Sequence, residues 1–144
     1  MRRYTVRLAD WASDEAKLRT IRHGVFCVEQ SVPESLEWDG VDGDCRHVLA
    51  EDEGGAPIGC GRLLPDGHVG RMAVVRAWRG QGVGNAMLTR LIALARERGD
   101  AKAMLNAQTH AMPFYARHGF VAVGDPFDEA GIPHQAMETM LADR

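Results

Sequence analysis

Residues 79–84 read RGQGVG: an arginine, then three glycines in five positions, with a run of helix formers from Asn85 onward. The first N–H groups of a helix have no partner inside it, and they carry the positive end of its dipole, about half a charge. Glycine lets an anion come close to that bare backbone, so strand, glycine loop and helix in this order make a phosphate site. Arg79 adds a full positive charge. Between Gly67 and Arg96 no Asp or Glu opposes it, while Arg71, Arg76, Arg79, Arg90 and Arg96 all occur. Arg71 and Arg76 could each reach a phosphate or simply face water. The nucleotide patterns fit poorly. A P-loop needs GxxxxGK[ST], and no such Lys-Ser/Thr pair closes this loop. A Rossmann fingerprint needs GxGxxG and an acid near the end of the next strand; here the glycines run GxGxG and that strand ends in Leu105-Asn106.

Other chemistry-bearing residues are sparser. The three cysteines, Cys27, Cys45 and Cys60, are odd in number and lack CxxC spacing, which argues against a disulfide framework or a zinc knuckle. Six histidines show no HExxH-type spacing, and "DGVDGD" lacks the EF-hand ligand pattern, so no metal is assigned. The stretch from Glu34 to Glu53 holds eight acids against Arg46 alone. It reads as a solvated loop, or as a lure for a cationic ligand.

The elements that must position these groups follow from periodicity. "YTVRL" alternates as a first strand. Ser13 is placed to cap a helix presenting Leu18, Ile21, Val25 and Phe26 on one face. Pro33 and the acids after it read as a loop. "HVLAED" and "PIGCGRLL" form a hairpin across "EGGA", and "GHVGRMAVV" is a further strand. After the glycines a helix buries Met87, Leu88, Leu91, Ile92 and Ala95, and Gly99 stops it. "AKAML" is another strand. Pro113 opens a short helix that Gly119 closes, and "FVAVG" and "QAMETML" finish the chain. The pattern gives a mixed α/β fold, mostly antiparallel, with helices on both faces of a central sheet. Residues 1–144 make one domain. No apolar run approaches the roughly 18 to 20 residues of a membrane span, and the start lacks a signal-peptide h-region, so a cytoplasmic location is the default. Net charge is −3, which does not suit nucleic acid.

"RGQGVG" resembles the [RQ]xxGxG[AG] signature of the GNAT (GCN5-related) N-acetyltransferases. "AMPFYARHGF", residues 111–120, is similar to the family's AxxxYxxxGF segment, and "VFCVEQ" and "GIPHQAM" resemble its ElaA-like bacterial branch. The resemblance implies the GNAT acyl-CoA N-acyltransferase fold and use of acetyl-CoA. It implies that backbone amides of Gln81, Gly82, Val83, Gly84 and Asn85 hold the diphosphate, with Arg79 and Gly80 leading the loop. Met72, Ala73 and Val74 would pair with the pantetheine arm as with an added strand, at a place where two neighbouring strands splay apart. Tyr115 matches the usual general acid. A leaving thiolate must gain a proton; a thiol titrates near 8.5 and a phenol near 10, so the phenol still holds its proton when needed. Many members carry Asn where this chain has Gln108, which could face either cofactor or acceptor; Asn106 is the other candidate.

An amine acceptor with pKa near 10 is protonated at neutral pH, and its neutral form costs about 4 kcal/mol there. Glu29, His110 and His134 are the candidates to take that proton. A small-molecule primary amine is the expected acceptor. A non-catalytic acyl-CoA sensor is the alternative, and it would have no use for Tyr115. Family members are often homodimers, and an edge strand at "QAMETML" would suit one.

Overall fold

The computed structural model describes residues 2–141. Strand β1 (Tyr4–Ala9) pairs antiparallel with β2 (Arg46–Asp52), β2 with β3 (Pro57–Leu63), and β3 with β4 (Val69–Val74). A second antiparallel group follows: β5 (Lys102–Gln108) pairs with β8 (Ile132–Met140), which also pairs with β6 (Val121–Ala122) and β7 (Phe127–Glu129). The groups meet through a parallel bridge, His68 to Met104. β2 and β3 are buried along nearly their whole length, as strands covered on both faces must be. On one face Leu49, Cys60 and Ala73 meet Leu18, Ile21 and Val25 of the first helical region. On the other, Val48, Ala50 and Ile58 meet α3 (Val83–Arg98) through Val83, Met87, Leu88 and Leu91. α3 comes close because β3 is bare beneath it: a Cβ on Gly59 would lie 2.9 Å from Met87 Cε, and one on Gly61 2.8 Å from Leu91 Cδ1. Gly99 ends α3 in the left-handed conformation, φ +88°.

Several expectations shift. The cap of α1 (Trp11–Arg22) is Asp10 rather than Ser13; the Asp10 carboxylate accepts from the Ser13 amide at 3.3 Å. β7 lies where no strand was read, since its three residues are exposed and carry no alternating pattern; with β6 it pairs with β8 on the side away from β5, so the segment QAMETML is not the edge strand expected of it. The acidic loop contains a short helix, α2 (Glu34–Glu37), and its acids are not all solvated. Glu37 and Asp42 are 2% and 5% exposed.

Those acids turn inward to meet arginines from three other elements. Arg22, at the end of α1, donates through Nε to Glu37 Oε2 at 2.7 Å and through Nη1 to Asp42 Oδ1 at 2.7 Å. Arg62, on β3, donates to Asp42 Oδ1 at 2.9 Å and also pairs with Asp39. Arg71, on β4, lies 3.2 Å from Glu37 Oε2 through Nε. Three positive and three negative side chains thus share one cluster, buried at Arg22, Glu37, Asp42 and Arg62 and open to solvent at Arg71 and Asp39. Burial opposes the charged form of Asp42, but Arg22 and Arg62 outweigh it and leave its carboxyl below the ordinary range. Trp38 covers Arg22, whose guanidinium carbon sits 4.9 Å from the ring centre. Removing one member of such a cluster strands its partners. Asp42→Ala is therefore expected to destabilise the fold by about 3–5 kcal/mol, read from the urea midpoint; a change within about 0.5 kcal/mol would contradict a paired role.

Candidate active site

The site lies where β4 and β5 part. β4 carries a bulge: Cys60 pairs with Ala73 and Arg62 with Gly70, so β4 spends one residue more than β3 over the interval. Arg71 takes φ +47° inside it. A bulge bends its strand and increases twist. Beyond the His68–Met104 bridge, no β4–β5 ladder occurs among the described residues. The edge of β4 along Met72, Ala73 and Val74 is left without a partner strand, and Arg79 Nε donates to its Val74 carbonyl at 2.8 Å.

Past β4 the chain makes a tight turn at Arg76–Trp78, then the glycine loop. Gly80 and Gly82 have φ +75° and +88°, conformations that side chains resist. Gly82 caps α3, and neither a side-chain cap nor an acid in the first turn shields the helix end. The first intrahelical bond runs from Ala86 N to Gly82 O, leaving the amides of Val83, Gly84 and Asn85 to face outward.

Two cavities flank the parted strands. The narrower, about 470 Å³, is bounded by the Met72–Val74 edge, Gly80, Gly82–Asn85, and across the gap Phe114, Tyr115 and Arg117. An unpartnered strand edge meeting uncapped amides is what an amide-rich arm ending in a diphosphate requires, so the lining fits coenzyme A. The wider, about 720 Å³, takes Phe26, Gln30, Leu36, Gln108, His110 and His134 into its walls. Met72, Ala73, Val74, Arg79, Ala111 and Tyr115 line both.

Tyr115 sits in α4 (Met112–Ala116), with Phe114 and Phe120 edge-on at ring separations of 5.0 and 6.1 Å. Desolvation by this packing pushes its phenol up to about 12. Gln108 and Asn106 both lie on the wider cavity and not among the walls of the narrower. Gln108 donates from Nε2 to Gln30 Oε1 at 2.7 Å, and its Oε1 lies 2.8 Å from His110 Nε2. His134 is 6% exposed; its Nδ1 donates to the Ile132 carbonyl at 2.7 Å, which leaves the lone pair of the neutral ring on Nε2. Glu129 Oε2 lies 3.9 Å from that Nε2, brought there by the β7–β8 hairpin. The turn of that hairpin has Ala130 and Gly131 at φ +53° and +77°, the left-handed pair that a two-residue hairpin favours. Glu29 lines neither cavity. Its carboxylate takes Arg79 Nη2 at 2.9 Å and Arg76 Nη2 at 3.4 Å, and Arg79 holds its carboxyl below the usual range. A carboxylate so paired is a weaker proton acceptor than a free one.

Gln81 is exposed, its side chain turned to the Ala77 carbonyl at 3.1 Å. Arg71 points away from the loop into the ionic cluster. Several lining groups, Arg117, Phe114, Gln30 and Glu129 among them, were not singled out from sequence. Arg117 and Phe114 fall inside the AMPFYARHGF segment, so the signal was present. Gln30 follows Glu29 directly. Glu129 had no signal, because the strand carrying it was not read. Among the described residues no group of three or more His, Cys, Asp or Glu could hold a metal ion, and no helix is long and apolar enough to cross a membrane.

Comparisons with known proteins identify the family and the fold. The model of the acetyltransferase (GNAT) domain matches residues 9–141, and the chain belongs to that family of acyltransferase enzymes. The uncharacterized N-acetyltransferase YjcF of Bacillus subtilis is 36% identical over 133 residues, covering 88% of this chain and 94% of that protein. Among solved structures, an acyl-CoA N-acyltransferase from Pseudomonas aeruginosa superposes with a TM-score of 0.82 at 34% identity, over 96% of this chain and 99% of its own. Escherichia coli ElaA does so with 0.79 at 27% identity, over 95% and 99%. The fold is that of the GNAT acyl-CoA N-acyltransferases, and its use of an acyl-CoA follows.

A direct check of the Tyr115 environment is spectroscopic. In a phenolate difference titration of native protein against Tyr115→Phe, the Tyr115 signal is expected near pH 12. Ionisation near pH 10, the ordinary phenol value, would contradict a desolvated ring.

Proposed function

We propose that the enzyme transfers the acetyl group of acetyl-CoA directly to the primary amine of a small molecule. The carrying observation is that Tyr115 lines both cavities at their junction. One phenol thereby stands between a pocket suited to the donor and a cleft suited to an acceptor. A cleft of about 720 Å³ falls within the roughly 300–1,000 Å³ of small-molecule sites.

The residues divide the work. Outward amides at Gly82–Asn85, with Arg79, grip the diphosphate. The unpartnered edge at Met72–Val74 pairs with the pantetheine amides and fixes the thioester beside Tyr115. The neutral acceptor nitrogen bonds to the thioester carbonyl carbon, the carbon–sulfur bond breaks, Tyr115 gives its proton to the leaving sulfur, and the proton shed by the new amide nitrogen restores the phenol. The acceptor ammonium's proton passes beforehand to His134 Nε2, and Glu129 steadies the imidazolium that forms. His134 is preferred over Glu29 because its Nε2 lone pair is free, whereas Glu29 is engaged by two arginines. His110 leans on Gln108 and is better placed to orient than to accept. A sensor that only bound acyl-CoA would have no use for the second cleft or for a phenol at its junction.

Purified protein given acetyl-CoA and a panel of amines tests this by thiol release. Tyr115→Phe is expected to lower kcat by about 10²–10⁴-fold while leaving coenzyme A affinity within about twofold; undiminished turnover would remove Tyr115 from the chemistry. Tight coenzyme A binding with no turnover of any amine would favour the sensor. Gly82→Val, which forces a β-branched residue to φ +88° at a cost of about 1–2 kcal/mol, is expected to weaken coenzyme A binding by about tenfold or more in calorimetry. Unchanged affinity would contradict the loop's role.

A further inference from the structure

Arg79 is the group that leads the glycine loop, yet it is already spoken for. Its Nε donates to the Val74 carbonyl at 2.8 Å, on the very edge of β4 that lacks a partner strand. Its Nη2 donates to Glu29 Oε1 at 2.9 Å. The second oxygen of Glu29 takes Arg76 at 3.4 Å. The residues from Gly67 to Arg96 hold five arginines and no acid. The carboxylate that balances Arg79 and Arg76 is therefore imported from fifty and forty-seven positions away in sequence. What brings it is a seven-residue π-helical turn, His23–Glu29, that continues α1. π-turns are rare and gather at functional sites.

Resting on the reading of the narrow pocket as the coenzyme A site, we propose that Glu29 is an internal counter-ion that competes with the cofactor diphosphate for Arg79. In the free enzyme the carboxylate neutralises the arginines at the loop and ties the π-turn to it. An arriving diphosphate offers Arg79 more charge and takes it over, and the Val74 carbonyl is freed for the pantetheine arm in the same movement. Glu29 is then released beside Gln30 and Phe26, which line the acceptor cleft. Occupation of the donor pocket thereby changes the charge at the acceptor mouth. Glu29 is a positioning residue here: it acts on the cofactor through Arg79.

The competition has a sign that a merely structural ion pair would not give. A structural pair that braces the loop should, when cut, loosen the loop and weaken cofactor binding. A competing pair should, when cut, leave Arg79 free and strengthen it. Calorimetry with coenzyme A on wild type, Glu29→Gln, Arg79→Gln and the double variant distinguishes the two, with thermal melts confirming that each is folded. Glu29→Gln is expected to bind about fivefold tighter than wild type, the worth of one exposed pair at about 1 kcal/mol. Most of that gain is expected to vanish in the Arg79→Gln background, since the two side chains act as one unit. Unchanged or weaker binding by Glu29→Gln, with wild type binding normally, overturns the competition and leaves the acyl-transfer assignment standing. Equal gains in both backgrounds overturn it too, because the effect would then not pass through Arg79. No uptake of coenzyme A by any of the four proteins overturns the cofactor site itself, and this inference with it.

Discussion

The structure depends on a refusal: β4 and β5 lie side by side and, after one bridge at His68 and Met104, do not pair. Two neighbouring strands in a sheet ordinarily satisfy each other's backbone groups. Here the β4 bulge at Arg71 bends the strand out of register and leaves its edge without a partner strand. The glycine loop closes one end of the gap with outward amides, and Tyr115 lines both cavities from across it. Each part makes sense as a fitting around an open seam.

Such a seam is unstable unless its walls are held from behind. On the α3 side, β3 gives up side chains at Gly59 and Gly61 so that Met87 and Leu91 lie flat on it, which fixes the N-terminus of α3 at the seam. On the other side, the cluster of Arg22, Glu37, Asp39, Asp42, Arg62 and Arg71 ties α1, the acidic loop, β3 and β4 together at hydrogen-bond distances. Arg71 belongs to this cluster and to the bulge at once. The ionic network thus anchors the segment that opens the sheet. Buried ion pairs add little to stability compared with apolar packing, but they punish rearrangement, which is what a strand held out of register requires.

Much of this could be read from the chain alone, and the failures have physical reasons. The glycine loop, the buried face of α3 and the Gly99 stop were legible because each is a local matter of backbone freedom and 3.6-residue spacing. Tyr115 was singled out through a short segment similar to the family's, and the structure puts it in the lining of both cavities. The fate of the acids at 37, 39 and 42 was not, since their partners Arg22, Arg62 and Arg71 are distant in sequence and composition cannot tell a paired acid from a solvated one. For the same reason Glu29 read as a candidate base: nothing local announces that Arg79 will claim it. β7 and Glu129 escaped because a three-residue exposed strand has no pattern to detect. The position of the Gln108 side chain could not be read from sequence, because Gln30 and His110, which hold it on the wider cavity, lie in or beside other elements.

The main-chain edge at 72–74 and the amides at 82–85 are proposed to form the donor site together. Amide NMR on coenzyme A addition tests this most directly. Large shifts of the backbone amides at those two stretches, and small ones across β6 and β7, are the result this account requires. If the cofactor bound while both stretches stayed unperturbed, the donor site would lie elsewhere and the open seam would need another explanation.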